Sequence, residues 1–383
     1  MNRIKMLLKG NKFFYNLYSA LFGFILNICN IFIKVDNRII LFNCFGGKKF
    51  DDSPKAIYEY MLKNKKYDKY KIYWAFDDIN KYTLPRGIKI KNNSINFFYI
   101  ALKARYWITN SSMERGLKFK NKETFYINTW HGTSIKKLIN DQENLKFCFK
   151  VSKADVYFAQ SRYDVDTFSS AFGVDKKKIV LAGLPRNDEL VNSISENDIN
   201  AIKQRLQLPL EKKIILYMPT FRDFDKDKNG NYIKPPIDIS KWKQKLGNEY
   251  VLLFRAHYEI SKILGIGFDD FTYNVSDYEH LNDLLKIADI LVSDYSSVMF
   301  DYSILEGPIY SFAYDYDRYV EKRGCYIDIT TELPNGICRN EDELIDKIIN
   351  CNYDEQVLKT RRFKEKYIEV CGNASMYVDN FIA

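Results

Sequence analysis

Five short clusters along the chain combine side chains that transfer protons with side chains that bind phosphate. The first is the run Thr-Trp-His-Gly-Thr-Ser, in which His131 and Gly132 follow a β-rich segment. A neutral imidazole accepts a proton, and glycine allows a tight turn. A helical pattern begins at Ile135, so we predict a strand-to-helix turn in which Thr133 or Ser134 caps the helix and free N–H groups face an anion. Because the 383 residues include only three histidines, we favour a functional His131 over an ordinary solvated loop histidine.

A second cluster, Arg-Ala-His at residues 255–257, closes the apolar run Tyr250–Phe254. Strand alternation places Arg255 and His257 on the same side. Arginine grips phosphate through paired hydrogen bonds and imidazole accepts a proton, so this pair is a candidate for phosphate chemistry. The alternative is a histidine at the rim beside a surface ion pair. His280 precedes a helical pattern, and we predict no function for it.

The third cluster follows an apolar run and reads Asp-Tyr-Ser-Ser-Val-Met-Phe-Asp from residue 294. Ser296 and Ser297 stand where a helix is predicted to begin, so their hydroxyls and the free N–H groups of the first turn form a candidate anion cradle. Asp301 lies four residues after Ser297, on the same helix face. A carboxylate repels phosphate, so we expect Asp301 to bind a ribose or polyol hydroxyl. An ordinary capped helix is the alternative.

Two shorter clusters supply further candidates for binding phosphate. Residues 183–188, Gly-Leu-Pro-Arg-Asn-Asp, offer Arg186, and residues 219–222, Pro-Thr-Phe-Arg, offer Thr220 and Arg222. Each of these is a weak signal alone. All five clusters nevertheless follow predicted strands, and open α/β sheets bind their ligands at the carboxyl ends of the strands.

The elements that must position these clusters form two α/β halves. Near-continuous apolar runs alternate with amphipathic helical patterns, which is typical of parallel sheets covered on both faces. The predicted strands are Arg38–Phe45, Tyr70–Phe76, Tyr106–Asn110, Thr124–Trp130, Asp155–Gln160, Lys178–Ala182, Lys213–Met218, Tyr250–Phe254, Phe271–Val275, Asp289–Ser293 and Pro308–Phe312. The predicted helices include Pro54–Lys63, Asn96–Arg105, Leu281–Ala288, Val298–Leu305 and two after residue 340. We therefore expect an α/β chain with regions at 1–34, 35–205 and 206–383, and an exposed charged loop at Asp223–Pro236.

The first region is an uncharged, aromatic-rich stretch from Phe13 to Ile33 that follows several basic residues. It is about long enough to span a bilayer, but asparagines interrupt it and no signal-peptide cleavage site is evident. A basic start beside an apolar face best fits an amphipathic helix lying on an anionic membrane surface. A helix packed on the protein body and a true span are the alternatives.

Net charge and the spacing of the cysteines limit the kinds of partner and cofactor that we expect. The chain carries 58 Lys and Arg against 49 Asp and Glu, a formal charge of +9, which favours anionic partners. The seven cysteines form no Cys-x-x-Cys pair, so neither a zinc site nor a disulfide framework is indicated. No GxGxxG or GxxxxGK[ST] motif and no nucleic-acid-binding motif occurs. We therefore expect no metal, no bound cofactor and no nucleic-acid partner.

Together and in this order, the five clusters resemble the CDP-glycerol glycerophosphotransferase family of teichoic acid synthesis. The resemblance rests on Trp-His-Gly-Thr at 130–133, on 183–188, on 219–222, on 255–257 and on Asp-Tyr-Ser-Ser-Val-Met-Phe-Asp-Tyr at 294–302. It covers roughly residues 38–365, and five ordered motifs are far more specific than any one of them. Ser134 and Ile135 stand where family members often have Pro-Leu, which puts the local loop shape in question.

The resemblance implies a GT-B fold, with two Rossmann-like domains facing each other across a cleft, acceptor side at 35–205 and donor side at 206–383. It also implies transfer of a polyol phosphate from a CDP-polyol donor to a hydroxyl of a lipid-linked acceptor, with release of CMP. Peripheral attachment to the cytoplasmic face of an anionic membrane is implied as well. By motif, the catalytic candidates are His131 and His257. The implied substrate contacts are Gly132, Thr133, Ser134, Ile135, Arg186, Pro219, Thr220, Arg255, Ala256, Ser296, Ser297 and Asp301.

Several points stay open at this level. We expect His131 to act as the base and His257 to stabilise the diphosphate or protonate the leaving group, and the reverse assignment is nearly as well supported. The donor carries glycerol or ribitol, one unit or many are added, and a homo-oligomer is compatible with the sequence. The competing functions are a GT-B glycosyltransferase that uses a nucleotide-sugar in capsule or wall assembly and a non-catalytic membrane scaffold.

Overall fold

Two parallel β-sheets with flanking helices make up the molecule. The computed structural model describes residues 12–143, 153–220, 222, 235–256 and 269–382. His257 and nearly all of the predicted loop 223–236 therefore lie outside the described residues.

The first sheet has seven parallel strands in the order β3-β2-β1-β4-β5-β6-β7. Its strands are β1 (Asp36–Asn43), β2 (Lys71–Phe76), β3 (Ile88–Lys91), β4 (Ala104–Thr109), β5 (Phe125–Asn128), β6 (Val156–Ala159) and β7 (Ile179–Leu181). Helices cover both faces, so the strands can be apolar along their length. In β1, for example, Ile39 to Phe42 are at most 2% exposed.

The second sheet has six parallel strands in the order β10-β9-β8-β11-β12-β13. Its strands are β8 (Lys213–Tyr217), β9 (Tyr250–Phe254), β10 (Thr272–Asn274), β11 (Ile290–Ser293), β12 (Ile309–Phe312) and β13 (Ile337–Cys338). All eleven strands predicted from the sequence are confirmed. β3 and β13 were not predicted, because β3 alternates isoleucine with lysine and β13 has only two residues.

The helices lie before, between and after the strands. They are α1 (Lys12–Phe32), α2 (Asp52–Lys63), α3 (Ile95–Lys103), α4 (Arg162–Phe172), α5 (Glu196–Arg205), α6 (Ile239–Leu246), α7 (Leu281–Ile287), α8 (Val298–Ser303), α9 (Tyr316–Arg323), α10 (Ile329–Glu332), α11 (Glu341–Ile349) and α12 (Tyr353–Tyr367). One predicted helix is wrong, because residues 131–138 form no helix.

Both sheets change winding direction between their first and fourth strands. In the first sheet β1 lies between β2 and β4, and in the second β8 lies between β9 and β11. Such a switch point leaves a crevice at the carboxyl ends of the two strands, where open α/β sheets bind ligands. The first switch point is formed by the ends of β1 and β4, and the second by the ends of β8 and β11.

Helix α1 lies along the first half rather than projecting from it. The Nδ2 groups of Asn27 and Asn30 donate to the carbonyls of Lys118 and Phe119, at 3.0 and 2.7 Å. Leu26 is buried in the core of the first sheet. The helix is also long and apolar enough, by length and composition alone, to cross a membrane, with a mean hydropathy of 1.3.

The end of the chain returns to the first sheet. The N–H groups of Ala374 and Ser375 donate to the carboxylate of Asp188 at 2.8 and 2.7 Å, and Val378 and Ile382 are buried in the core that includes β1. The last residues of region 206–383 therefore pack on the first sheet. The boundary near residue 205 stays a prediction.

Candidate active site

His131 lies in a strained turn directly after β5. Trp130 and Gly132 on either side have positive φ angles, 51° and 126°. The Nδ1 atom of His131 lies 2.7 Å from the carbonyl oxygen of Asn110. A carbonyl oxygen only accepts hydrogen bonds, so Nδ1 carries the proton and Nε2 keeps its lone pair. Burial lowers the pKa of His131, which keeps the ring neutral and able to accept a proton near neutral pH.

The turn leads into the second half instead of a helix, which corrects the prediction for Thr133 and Ser134. The N–H of Lys137 donates to the carbonyl of Gly324, and that of Tyr326 donates to the carbonyl of Ile135. Ile135 is 1% exposed and belongs to the core of the second half. This packing holds the segment extended, so Thr133 and Ser134 cap no helix, and the Ser134 hydroxyl donates to the carbonyl of Lys136.

Gly132 lies at a close contact between the two halves. A Cβ atom there would lie 2.6 Å from Nη2 of Arg186 and 2.7 Å from Oγ of Ser297. No side chain fits such a gap, and the φ of 126° also disfavours any other residue. The structure thus brings His131 and Gly132 together with Arg186 and Ser297.

Thr133 is held from behind by a buried carboxylate. Its hydroxyl donates to Oδ2 of Asp164 at 3.0 Å and accepts from Nε2 of Gln160 at 2.8 Å. Asp164 is fully buried, and burial raises its pKa to about 7. This network fixes the residues that follow His131.

Arg186 links the halves through two carboxylates. Nη1 lies 3.0 Å from Oδ2 of Asp52 and donates to the carbonyl of His131 at 2.8 Å, while Nη2 lies 2.5 Å from Oδ2 of Asp301. Burial alone would lower the pKa of Arg186, but the attraction of Asp301 and Asp52 outweighs it and raises the pKa. Oδ1 of Asp301 accepts from Asn187 at 2.9 Å, so both of its oxygens are engaged.

The second switch point contains a closed charge network. The N–H of Thr220 donates to the carboxylate of Asp294 at 2.9 Å, and Pro219 beside it is buried. Arg222 bonds Asp294 at 2.5 Å and Asp315 at 2.9 Å. The hydroxyl of Thr220 is buried without a hydrogen-bond partner among the described residues, so it is a candidate to bind an incoming group.

The remaining candidates lie around the same strand ends. Nη1 of Arg255 donates to the carbonyls of Val275 and Tyr278, and the N–H of Ala256 donates to Oγ of Ser276 at 3.2 Å. Burial lowers the pKa of Arg255. His257, the second catalytic candidate, lies outside the described residues.

Ser296 and Ser297 precede α8, which has only six residues. The hydroxyl of Ser296 accepts from the N–H of Val298 at 3.3 Å, while Ser297 makes no side-chain cap and faces Gly132.

The model of the CDP-glycerol:poly(glycerophosphate) glycerophosphotransferase family matches residues 25–383. The chain belongs to this family. The match includes every motif on which the resemblance rested.

Relatives in this family are teichoic acid enzymes. The chain is 36% identical to a teichoic acid poly(glycerol phosphate) polymerase of Staphylococcus epidermidis, over 91% of this chain and 51% of that one. It is also 36% identical to a teichoic acid glycerol-phosphate transferase of Staphylococcus aureus, over 90% of this chain and 93% of that one. The chain thus spans about half the length of the polymerases of S. epidermidis and Bacillus subtilis.

Solved structures confirm the predicted GT-B arrangement. The wall teichoic acid polymerase TagF superposes with a TM-score of 0.84 at 34% identity, covering 99% of this chain and 96% of that one. A UDP-GlcNAc 2-epimerase from Neisseria meningitidis shares the fold alone, with a TM-score of 0.55 at 14% identity.

Sequence reasoning missed several residues of the candidate site. Asp52, Asn110 and Asp164 were not among the candidates. They contact Arg186, His131 and Thr133, respectively. The two consecutive aspartates at the start of α2 were a usable signal, since acidic residues favour helix starts. The other two reach the site only through tertiary contacts.

A cavity of about 510 Å³ lies between the halves, and it places His280 near the candidate site. His280 lines it, with Nδ1 3.4 Å from Nζ of Lys55. The lining also includes Asp51, Glu59, Glu189 and Asp283, so the cavity is predominantly acidic and a poor fit for a diphosphate.

Proposed function

We propose that this chain transfers glycerol phosphate from CDP-glycerol to a terminal hydroxyl of a lipid-linked teichoic acid acceptor and releases CMP. The observation that carries the proposal is the approach of the His131 turn to Ser297 across the two halves, in a chain of this family. That approach sets the turn that carries His131 beside the start of α8, at the second switch point.

The step we propose is a displacement at phosphorus. The acceptor hydroxyl attacks the phosphorus that bears glycerol, the bond from that phosphorus to the bridging oxygen breaks, and CMP leaves with the electron pair. The hydroxyl proton passes to Nε2 of His131, which the hydrogen bond at Nδ1 leaves free. His257 stabilises the diphosphate or protonates the leaving group in this proposal, and its role rests on the sequence motif alone.

We assign donor binding to the second switch point. Thr220, with its unpartnered buried hydroxyl, and the backbone around Ser296 and Ser297 lie at the ends of β8 and β11. The residues Gly132, Thr133, Ser134, Ile135, Arg186, Pro219, Arg255, Ala256 and Asp301 remain proposed substrate contacts or their supports. Arg186 and Asp301 act in this proposal by holding the halves at the correct distance, since their charges are already paired.

Glycerol is favoured over ribitol as the donor's polyol. Relatives named for glycerol phosphate are 31 to 36% identical over 80 to 98% of this chain. A ribitol-phosphate primase of Bacillus spizizenii and a ribitol-phosphate polymerase of S. aureus are 24% and 27% identical over 97% and 93% of it, and a ribitol-phosphate polymerase of B. spizizenii is 32% identical over only 50% of it. A variant of TagF was studied with CDPG.

We propose that α1 attaches the chain in the plane of the cytoplasmic membrane surface. Its inner face is bound to the body by Asn27 and Asn30, so the helix cannot cross a bilayer without carrying those contacts into it. Its outer face is apolar and exposed, at Phe13, Phe14, Leu17, Tyr18, Leu21, Phe24, Ile25, Ile28, Ile31 and Phe32.

Donor profiling tests the proposed function. The purified chain is incubated with a lipid-linked glycerol phosphate acceptor and, in separate reactions, CDP-glycerol, CDP-ribitol or UDP-sugars. We expect CMP release and acceptor elongation with CDP-glycerol. Release of UDP from a UDP-sugar, with no CMP from either CDP-polyol, would overturn the proposal in favour of a glycosyltransferase.

A further inference from the structure

A second cavity, of about 610 Å³, opens at the first switch point and lies within the first half alone. We call it the basic pocket. It is lined by Phe45, Gly46, Lys48, Lys49, Asp77, Asn93, Ser111, Ser112 and Arg115. These residues follow the carboxyl ends of β1, β2, β3 and β4, and the cavity volume lies within the ordinary range for ligand sites.

The pocket carries a net positive charge. Its lining has three cations, Lys48, Lys49 and Arg115, against one carboxylate, Asp77. Among the residues that the structure describes, no carboxylate forms an ion pair with any of the three cations. Asp77 instead accepts from Nδ2 of Asn92 at 2.8 Å.

Arg115 is fixed in place by neutral oxygens. Nη2 donates to the carbonyl of Gly46 at 2.7 Å, and Nη1 donates to Oδ1 of Asn93 at 2.9 Å. Burial lowers the pKa of Arg115, and the attraction of the Asp77 carboxylate offsets this only in part, so the buried charge is costly. A bound anion would remove that cost. The two lysines are exposed and can close on such an anion from the solvent side.

The pocket borders the proposed base. The ring centroids of Phe45 and His131 are 5.6 Å apart. Asn110 joins them, because its Oδ1 accepts from the N–H of Phe45 at 2.8 Å and its carbonyl binds His131. The ring of His131 therefore borders the basic pocket.

We propose that the basic pocket binds a phosphate of the polyol-phosphate acceptor, next to the hydroxyl that attacks. The inference rests on the proposed function and extends it from the donor to the acceptor. Lys48, Lys49 and Arg115 determine acceptor specificity, since they favour a chain that already carries a phosphodiester near its end over a neutral polyol. Tyr15 of α1 donates to the carbonyl of Arg115 at 3.1 Å, so the pocket also lies beside the proposed membrane-bound helix.

The test is a pair of double variants of the full chain. Lys48→Gln/Lys49→Gln alters the pocket, and Lys65→Gln/Lys69→Gln is the matched control. All four lysines are exposed, and Lys69 lies over the ring of Tyr70 at 5.3 Å much as Lys49 lies over Phe45 at 5.7 Å. CMP release is measured while CDP-glycerol and a detergent-soluble lipid acceptor bearing one glycerol phosphate are varied separately.

We expect the pocket variant to raise the acceptor KM by about tenfold or more, with the donor KM unchanged and the control behaving as wild type. An unchanged acceptor KM in the pocket variant, or a donor KM that rises in parallel with it, would overturn the inference.

Direct binding separates this inference from the proposed function. sn-Glycerol 3-phosphate is titrated calorimetrically into wild type and both variants. A wild type that releases no CMP would refute the proposed function, while selective loss of glycerol 3-phosphate binding in the pocket variant would still identify an anion site here. A wild type that releases CMP but binds glycerol 3-phosphate no better than the pocket variant would refute the inference alone.

Vesicles distinguish an acceptor phosphate from a lipid headgroup. Wild type and the pocket variant are sedimented with phosphatidylglycerol vesicles and with phosphatidylcholine vesicles. We expect the two proteins to sediment equally. Selective loss of phosphatidylglycerol binding by the pocket variant, with an unchanged acceptor KM, would assign the pocket to membrane lipid and overturn the inference.

Discussion

The two switch points have the same topology, but the arginine at each is bound by different kinds of partner. At the first, Arg115 is bound by a carbonyl and an amide oxygen, and its cavity is open to solvent. At the second, Arg222 is 6% exposed and is paired with both Asp294 and Asp315. The guanidinium of Arg115 is therefore available to a ligand. That of Arg222 is already paired with carboxylates, and Asp294 also binds the N–H of Thr220. The difference fits the proposals made above, in which an acceptor phosphate binds at the first switch point and the donor at the second.

The largest expected effect comes from breaking the closed network. Arg222→Gln leaves two buried carboxylates without a cation, and we expect it to lower the free energy of unfolding by about 3–5 kcal/mol. Arg115→Gln removes a guanidinium that pairs with no carboxylate, and we expect it to cost about 1 kcal/mol. Chemical denaturation of both variants measures the contrast. Equal losses would show that the two switch points are not electrostatically different.

The contact between the halves is tested at Gly132. An alanine Cβ would collide with Arg186 and Ser297, so we expect Gly132→Ala to slow CMP release by about 100-fold through displacement of His131. Gly173→Ala is the matched control, because Gly173 also has a positive φ but a Cβ there meets only Asn140, at 3.6 Å. We expect this variant to lose about 1 kcal/mol of stability and to keep wild-type activity. Normal activity in Gly132→Ala would mean that the halves work further apart.

Each half also contains a buried carboxylate, and the two carboxylates differ in their partners. Asp294 is paired with Arg222, whereas Asp164 accepts only from neutral groups and has a pKa raised to about 7. A raised pKa means that the folded state keeps a proton that the unfolded state loses as pH rises above about 4. Stability from this group is therefore full below pH 4 and is lost as pH rises toward 7.

We accordingly expect Asp164→Asn to become more stable relative to wild type, by about 3 kcal/mol, between pH 4 and pH 7. Urea unfolding at a series of pH values measures the difference, with the exposed Asp166→Asn on the same helix as a control for the charge change. A difference that is constant with pH would show that Asp164 titrates alike in both states.

The smallest expected effect is that of ionic strength on the acceptor KM. Raising the ionic strength from about 0.05 to 0.2 M should raise the acceptor KM a few-fold in wild type, because the cations of the basic pocket are exposed to screening. The rise should be weaker in Lys48→Gln/Lys49→Gln, as measured by initial rates of CMP release. Identical salt dependence in the two proteins would remove the lysines from acceptor binding.

The strands and the five clusters could be predicted because their signals are local. An apolar run such as Tyr250–Phe254 is buried on both faces, and the polar residues after it must lie at the edge of the sheet. The partners of Arg186 could not be predicted, because Asp52 and Asp301 are 134 and 115 residues away from it in sequence. Such pairs depend on how the two halves meet.

Two interpretations failed, or remained incomplete, for the same reason. The helical pattern at Ile135 does not form a helix, because that side chain is needed in the core of the second half. Asn27 and Asn30 looked like interruptions of an apolar helix, yet they are the groups that bind α1 to the body. In both places a long-range contact outweighs the local pattern.

The central claim is that Nε2 of His131 accepts the proton of the attacking hydroxyl. The most direct test measures CMP release by His131→Gln, together with calorimetric CDP-glycerol binding and thermal unfolding of the same variant. We predict a fall in kcat of about 10²–10⁴-fold with donor affinity and unfolding temperature preserved. A variant that binds the donor, stays folded and still turns over at close to the wild-type rate would contradict the claim.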